Sequence, residues 1–368
     1  MGKTQVAVIG AGPAGLACAV EIARYGGRVT VLDENKSPGG QLFKQIHKFF
    51  GSQAHQAGTR GIDIGCRLLE QVGENGAEVL LDAAVYGIYD NRSVAYVKDG
   101  KENVLEAKRI VIAAGASENP LAFPGSTMPG VMGAGAAQTL INICRVLPGQ
   151  KVLMVGSGNV GLIVSYQLLQ AGARVVALLE AAPEIGGYGV HASKLKRAGV
   201  PIYTSHTIKE LTGAEKVEKA VVVKLDSQWN QVKGTEKHLD VDTVCIAVGL
   251  SPLTELCWLC GCEFIYLPSL GGHVPKHDEN QETSVKGLYA AGDVTGIEEA
   301  SSAMEEGRLA GLACAESLGL LSGSEANKLK AAVRARLSQL RAGPFGEARQ
   351  KAKDEQTCAA VRSLGGSM

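Results

Sequence analysis

A chain of 368 residues and 38.3 kDa is longer than one hydrophobic core usually grows, roughly 250 residues, and so predicts about two domains. Lys plus Arg and Asp plus Glu number 37 each and the pI is near 7.0, which excludes any general electrostatic attraction for nucleic acid or an anionic membrane. With 47 glycines and only 5% aromatic residues, the chain predicts many tight turns and close backbone approaches, the means by which nucleotide-binding folds admit phosphates.

The first element is an apolar strand, Val6-Ala7-Val8-Ile9, with no signal-peptide cleavage region before it. Val6 also stands where a myristoylation signal needs Ser or Thr, so neither export nor a lipid anchor is expected. The strand runs into Gly10-Ala11-Gly12-Pro13-Ala14-Gly15, a helical run to about Tyr25, and a second strand, Arg28-Val29-Thr30-Val31-Leu32-Asp33. The same grammar returns later as Val152-Leu153-Met154-Val155, then Gly156-Ser157-Gly158-Asn159-Val160-Gly161, a helical run to about Gln170, and Arg174-Val175-Val176-Ala177-Leu178-Leu179-Glu180. Each is a βαβ unit with an acid about 20 residues beyond its glycines.

That spacing has a physical meaning. The first glycine turns sharply, the second lets the backbone approach a pyrophosphate, and the third lets helix and strand pack closely. The helix start offers free N–H groups and the positive end of its dipole, and a carboxylate at the tip of the second strand can accept from ribose hydroxyls, the role expected of Asp33 and Glu180. The alternative for each copy is a glycine loop with no ligand. The second copy lies in an uncharged run, 152–173, but Gly156, Gly158 and several Ser, Asn and Gln residues make it a strand, turn and buried helix, not a membrane span.

After the first acid comes Ser37-Pro38-Gly39-Gly40-Gln41, a further glycine turn that suits a ligand longer than NAD, hence FAD. Two more segments fit such a site, Arg109-Ile110-Val111-Ile112-Ala113-Ala114-Gly115 and Gly287-Leu288-Tyr289-Ala290-Ala291-Gly292-Asp293. For the second unit NADH is expected over NADPH, because Glu180 would repel a 2′-phosphate and 181–193 holds no Arg or Lys. A structurally bound adenine nucleotide, or no ligand, is the alternative there.

These segments together resemble the two-dinucleotide-binding-domain flavoproteins, the superfamily of thioredoxin reductases and dihydrolipoamide dehydrogenases. The resemblance implies that Asp293 holds the flavin's ribityl chain and phosphate, and that the helix at 300–315 starts at the flavin ring. The expected fold is α/β with two Rossmann-like domains: an FAD domain in two parts, 1–120 and 245–321, split by an NAD(H) domain at 121–244, with a helical tail at 322–368. Gly125, Pro129 and Gly130 are expected to mark the outgoing linker, and 242–249 the returning strand. Expected FAD contacts are Gly10, Gly12, Pro13, Ala14, Gly15, Asp33, Glu34, Gly40, Gln41, Ala114, Gly115, Gly292 and Asp293. Expected NAD(H) contacts are Gly156, Gly158, Asn159, Val160, Gly161 and Glu180.

A narrower resemblance rests on Gly40-Gln41-Leu42, His47-Lys48-Phe49-Phe50-Gly51, Pro129-Gly130-Val131-Met132 and Ala136-Ala137-Gln138-Thr139-Leu140. These look like the FAD-containing α subunits of opine oxidases, hydrogen cyanide synthase and dye-linked proline or hydroxyproline dehydrogenases, over about residues 4–345. It implies a hetero-oligomer in which a separate amine-oxidising flavoprotein subunit delivers electrons to this chain. Longer members carry a cysteine-rich module for a [2Fe–2S] cluster. Here only Cys358 follows Cys314, so such a centre is expected on a separate protein.

Nine cysteines, an odd number scattered along the chain, fit a reducing cytoplasm better than a secreted scaffold. The cysteine pairs of the disulfide reductases are missing: Cys144 has Ile141 three residues before it, and 41–52 holds no cysteine. Cys257-Trp258-Leu259-Cys260-Gly261-Cys262 reads as buried or connecting cysteines, with a redox or metal role, and thus a stand-alone NADH-dependent disulfide or dye reductase, as the alternative. His273 and His277, separated by Pro275 and lacking an HExxH glutamate, read as loop residues. No metal site and no catalytic acid, base or nucleophile is assigned. In the tail Leu329, Val333, Leu337 and Leu340 share a helical face up to Gly343-Pro344, to pack on the chain itself or to dock a partner. The activity expected is hydride exchange between NAD(H) and FAD. A non-catalytic FAD-binding structural subunit is the remaining alternative.

Overall fold

The computed structural model describes residues 2–89, 92–343 and 346–365, with side chains as far as 357. Contacts divide the chain into two units, one made of residues 1–117 and 251–368, the other of 118–250.

The first unit begins with β1 (Gly2–Ile9), α1 (Pro13–Arg24), β2 (Val29–Leu32), α2 (Gly61–Glu74), β3 (Glu78–Leu80), β4 (Ala84–Ile88), β5 (Ser93–Lys98) and β6 (Lys101–Ile112). Short strand β7 (Ala116–Glu118) leads out to β8 (Val131–Gly133), α3 (Ala134–Thr139), β9 (Lys151–Val155), α4 (Asn159–Gln170), β10 (Arg174–Glu180), α5 (Gly189–Arg197) and β11 (Ile202–Thr204). An antiparallel trio follows, β12 (His206–Thr212), β13 (Lys219–Lys224) and β14 (Lys237–Asp240), then β15 (Thr243–Ile246) and β16 (Leu250–Pro252). The chain closes with α6 (Glu255–Leu259), β17 (Phe264–Leu267), β18 (Gly272–Pro275), β19 (Leu288–Ala290), α7 (Ala300–Ser317), α8 (Gly323–Leu340) and α9 (Glu347–Gly365).

In the first sheet the order is β3-β2-β1-β6-β5-β4, with β19 also on β6. Its centre is parallel, and β1, β2 and the end of β6 are buried on both faces, which is why they read as continuous apolar runs without alternation. The second sheet, β11-β10-β9-β15-β8, is parallel throughout. Both are Rossmann-like, as the doubled βαβ pattern predicts.

Two expectations need correction. The segment 242–249 does not return to the first unit: β15 lies between β9 and β8, in register with Val152 to Val155, so the division of the chain comes later, at 250/251. Gly125 and Gly130 likewise lie inside the second unit, the first against Leu211 and the second against the Asp242 carbonyl. The tail expected to be helical at 322–368 holds two described helices, α8 and, beyond Gly343, α9.

Helix α7 packs directly along α1. A side chain at Gly307 would overlap the Ala14 carbonyl, and one at Gly311 would come within 2.6 Å of the Cys18 carbonyl, so two glycines a turn apart set the approach. Helix α8 lays Ala326, Val333 and Leu337 against Leu309, Leu312 and Ala315 of α7, with Leu329 at the margin, in accord with a tail helix packed on its own protein. Its charged residues are used within the chain as well: Lys330 pairs with Glu316, Arg334 with Glu279 and Arg336 with Glu305.

Candidate functional site

Two glycine turns carry the site chemistry, and they match bond for bond. In the first, Gly10 N donates to Leu32 O (2.7 Å), Leu16 N to Gly12 O (2.9 Å) and Ala113 N to Ile9 O (2.8 Å). In the second, Gly156 N donates to Leu179 O (2.8 Å), Leu162 N to Gly158 O (3.0 Å) and Ala247 N to Val155 O (2.7 Å). Gly10 and Gly156 have φ of +104° and +105°, and any β-carbon there would overlap the carbonyl of Ala113 or Ala247. Such a position is open to glycine alone.

The acids predicted at the strand tips close these turns. Asp33 Oδ2 accepts from Ala11 N (2.6 Å), and its Oδ1 accepts from the backbone and side-chain nitrogens of Asn35. Glu180 Oε2 accepts from Ser157 N (3.0 Å) and from the Ser157 hydroxyl, and its Oε1 from Ala182 N. Each carboxylate thus grips the residue between the first two glycines. With three donors already on Asp33, about one acceptor position remains for a ligand hydroxyl. Its neighbour Glu34 is exposed.

A second glycine pair then folds back onto each turn. Gly39 N donates to Ala11 O (2.7 Å), and Gly187 N donates to Ser157 O (2.9 Å). Gly186-Gly187 is therefore the counterpart of Gly39-Gly40. A glycine pair of this kind is present in both units and so does not by itself mark the longer ligand. Gly186 N also donates to Ser157 Oγ, and Tyr188 N to Asn159 Oδ1, while Val160 is exposed.

Around the first turn, residues far apart in sequence come together. Beside Gly10 is Ala113, with Ala114 and Gly115 next in line; a β-carbon on Gly40 would lie 2.9 Å from Gly12 Cα, and one on Gly292 would lie 2.8 Å from Ala14 Cβ. Gly15 packs on the Gly10 carbonyl, Pro13 opens α1, and Gln41 is exposed. No described side chain caps the α1 N-terminus at Gly12, and a β-carbon at Gly12 or Gly115 would meet only open space. Free helix amides, an open glycine and a carboxylate-closed turn form a cradle that fits a dinucleotide diphosphate. The Gly156 turn has the same open central glycine, Gly158, and an uncapped α4.

Asp293 is half-buried, and loss of solvent pushes its carboxyl up to about 7, against the hydrogen bond that the Glu298 amide donates to it. Next to it is a charged network that the sequence reading missed. Glu306 Oε2 accepts from Gly292 N (2.9 Å), and its carboxylate meets Arg341 and Lys353. Burial alone would raise Glu306, but Lys353 and Arg341 hold it at about 2. Burial likewise opposes the charge of Arg341, yet Glu306 and Glu298 hold it well above the ordinary arginine value.

Cys257 and Cys262 are buried in the core beneath the first sheet, and Cys260 is half-buried. The Cys257 thiol donates to the Cys262 sulfur; this bond and burial raise Cys257, and the same bond lowers Cys262. Burial pushes Cys260 up to about 11. No disulfide links them, and among the described residues no His, Cys, Asp or Glu cluster could hold a metal ion. His273 lies on β18, not in a loop, with its ring against Trp258 and Tyr266, and His277 is buried. No described helix is long and apolar enough to cross a membrane.

Two Rossmann-like units, each with a carboxylate-closed glycine turn, give the chain a thioredoxin-reductase-like fold. The chain shares that fold with the T. acidophilum thioredoxin reductase (TM-score 0.70, 23% identity, 86% of this chain and 100% of that one) and with the L-proline dehydrogenase from P. horikoshii (TM-score 0.69, 23% identity, 92% and 59%). It belongs to the pyridine nucleotide-disulphide oxidoreductase family, whose model matches residues 4–307 and whose members typically bind FAD and NAD(P). It is 31% identical to an opine oxidase subunit from Agrobacterium tumefaciens (strain Ach5) over 86% of its length, and 27% identical to hydrogen cyanide synthase subunit HcnB of Pseudomonas protegens over 87%. The narrower resemblance read from the sequence is borne out by these relatives, which are subunits of multi-subunit enzymes. The chain spans 66% of that opine oxidase subunit and 64% of its Rhizobium meliloti counterpart.

Proposed function

We propose that this chain is an FAD-dependent oxidoreductase that moves a hydride between NAD(H) and FAD, as the electron-transfer α subunit of an amino-acid or amine dehydrogenase complex of the proline, hydroxyproline or opine type. The observation that carries the reading is the matched pair of carboxylate-closed glycine turns, each opening an uncapped helix. Gly10, Gly12, Pro13, Ala14 and Gly15 hold the FAD diphosphate on the α1 amides, and Gly40, Gln41, Ala114, Gly115, Gly292 and Asp293 surround it. Asp33 keeps the turn closed and offers its remaining acceptor position to a ribose hydroxyl, with Glu34 beside it.

Gly156, Gly158, Asn159, Val160 and Gly161 do the same for NAD(H), with Glu180 as the ribose acid. Negative charge at Glu180, and the lack of Arg or Lys over 181–193, disfavour the 2′-phosphate of NADPH. FAD, when bound, supplies the two-electron redox chemistry, and the chain contributes binding, orientation and electrostatics. An amine-oxidising flavoprotein subunit, with a separate [2Fe–2S] protein where one is used, would complete a hetero-oligomer. The names of the relatives, each that of a subunit, support an assembly of more than one chain.

Anaerobic titration of the yellow protein with NADH tests this. Bleaching of the flavin absorbance by NADH, and much less readily by NADPH, is expected. A flavin that stays oxidised in excess NADH would defeat the proposal.

A further inference from the structure

The charged network beside Asp293 is built across the chain. Glu298 and Glu306 come from the segment that follows the turn at 292–295, whereas the cations come from the tail: Arg341 at the end of α8 and Lys353 on α9. All four side chains are at least nine-tenths buried. The Lys353 ammonium donates to Thr295 O (3.0 Å) and Thr295 Oγ1 (2.7 Å) and lies 2.9 Å from Glu306 Oε1. Gln356, one turn further along α9, donates to Thr295 O and to Pro275 O. Arg341 bridges Glu298 and Glu306.

Two consequences follow for the turn. Its geometry is held from both ends, at Gly292 by Glu306 and at Thr295 by Lys353 and Gln356, so that Asp293 lies between two fixed points. Its charge is set as well. Without Arg341 and Lys353, the carboxylates of Glu298 and Glu306 would lie uncompensated next to Asp293, in a setting hostile to an anionic diphosphate.

We propose that Lys353, Gln356 and Arg341 are positioning residues for the flavin turn: the tail latches the turn at 292–295 and neutralises it so that an anionic nucleotide binds. This rests on the reading that the Gly12 turn takes FAD. Helix α9 is then part of the cofactor site, though it need not touch the cofactor.

The test compares the full-length protein with Lys353→Met, Lys353→Arg and the control Lys330→Met, whose half-buried pair with Glu316 joins α8 to α7 away from the turn. Two quantities are read: the FAD dissociation constant of reconstituted apoprotein, and amide hydrogen exchange of 288–298 without FAD. Lys353→Met is expected to weaken FAD about tenfold or more and to speed exchange at 288–298 but not at 6–16. Lys353→Arg should recover most of the affinity. Lys330→Met should lower the melting temperature and leave FAD affinity as it was.

An unchanged dissociation constant in Lys353→Met, or an equal loss in Lys330→Met, overturns the latch. If Lys353→Met does not fold, Gln356→Leu, which removes one neutral donor to Thr295, is expected to act in the same direction and is judged by the same criteria. Failure of the wild type to bind FAD would instead remove the reading of the site. Exchange would then judge the latch alone, and an unaltered rate at 288–298 in Lys353→Met would overturn it.

Discussion

Asp33 uses its carboxylate mainly on its own backbone, and that determines what its loss should do. Asp33→Ala opens the bond to Ala11 N and frees Asn35, so the turn loosens before any ribose contact is lost. FAD affinity should fall about tenfold to a hundredfold, at a cost in fold stability of about 1–3 kcal/mol for the unsatisfied turn amide, measured by fluorescence titration and urea denaturation. His277 and Asp293 predict how the apoprotein responds to acid. Burial holds His277 at about 4, with Lys353 adding to the effect. The unfolded chain therefore takes up a proton first, and the stability His277 contributes is complete above about pH 6.5 and is lost as pH falls toward 4. Asp293 works in the opposite sense: with its folded value raised to about 7, it contributes stability at low pH that is lost as pH rises from about 4 to 7. Over that window the two oppose each other. His55, His191 and Glu306, all held below their ordinary values, add rising contributions of their own, so His277→Leu should make urea midpoints rise less between pH 4 and 7 than in the wild type, and an unchanged profile would count against this account.

At the scale of elements, the contact between α1 and α7 is sensitive to added volume. Gly307→Ala places a methyl group on the Ala14 carbonyl and should cost about 1–3 kcal/mol in chemical denaturation, with weaker FAD binding because Ala14 belongs to the turn proposed to hold FAD. Leu337→Ala, which empties the α8 contact, should cost about 2–5 kcal/mol. Elements with a strong local signal were legible in the sequence: β1, α1, β9, α4 and both acids follow from apolar runs, glycine spacing and strand ends. Those defined by their partners were not. Thr243-Val244-Cys245-Ile246 is an apolar run like any other, and which sheet it joins depends on hydrogen bonds with β8 and β9 that composition does not encode. Helix α9 falls within the helical tail expected at 322–368, but its docking on the turn at 292–295 was not legible, because the described face it buries carries Lys353 and Gln356 beside Ala352, with no apolar stripe. Gly186-Gly187 was as readable as Gly39-Gly40, and its meaning emerged only when Gly187 N was seen to repeat the bond made by Gly39 N.

The whole molecule has two units with separate cores, the second continuous in sequence and the first in two pieces. Each unit carries one glycine turn, so the ligands should act on different parts of a calorimetric trace. FAD at a hundredfold excess over its dissociation constant should stabilise the 1–117 and 251–368 unit by about 2.7 kcal/mol, and NADH the 118–250 unit by a like amount at the same saturation. Two transitions, each moved by its own ligand, are expected. One cooperative transition shifted equally by both would contradict the assignment of one nucleotide to each unit.

The divided first unit also constrains how the protein can be made. During synthesis β1, β2 and β6 emerge early, but the edge of β6 that takes β19 and the stripe of α1 that takes Gly307 and Gly311 stay bare until the ribosome has passed through all of 118–250. The interrupting unit has every partner strand within its own stretch and can close while the nascent chain is still lengthening. A half-built sheet with an open edge must therefore wait, and in that interval capture by chaperones or mispairing with a neighbouring chain competes with completion.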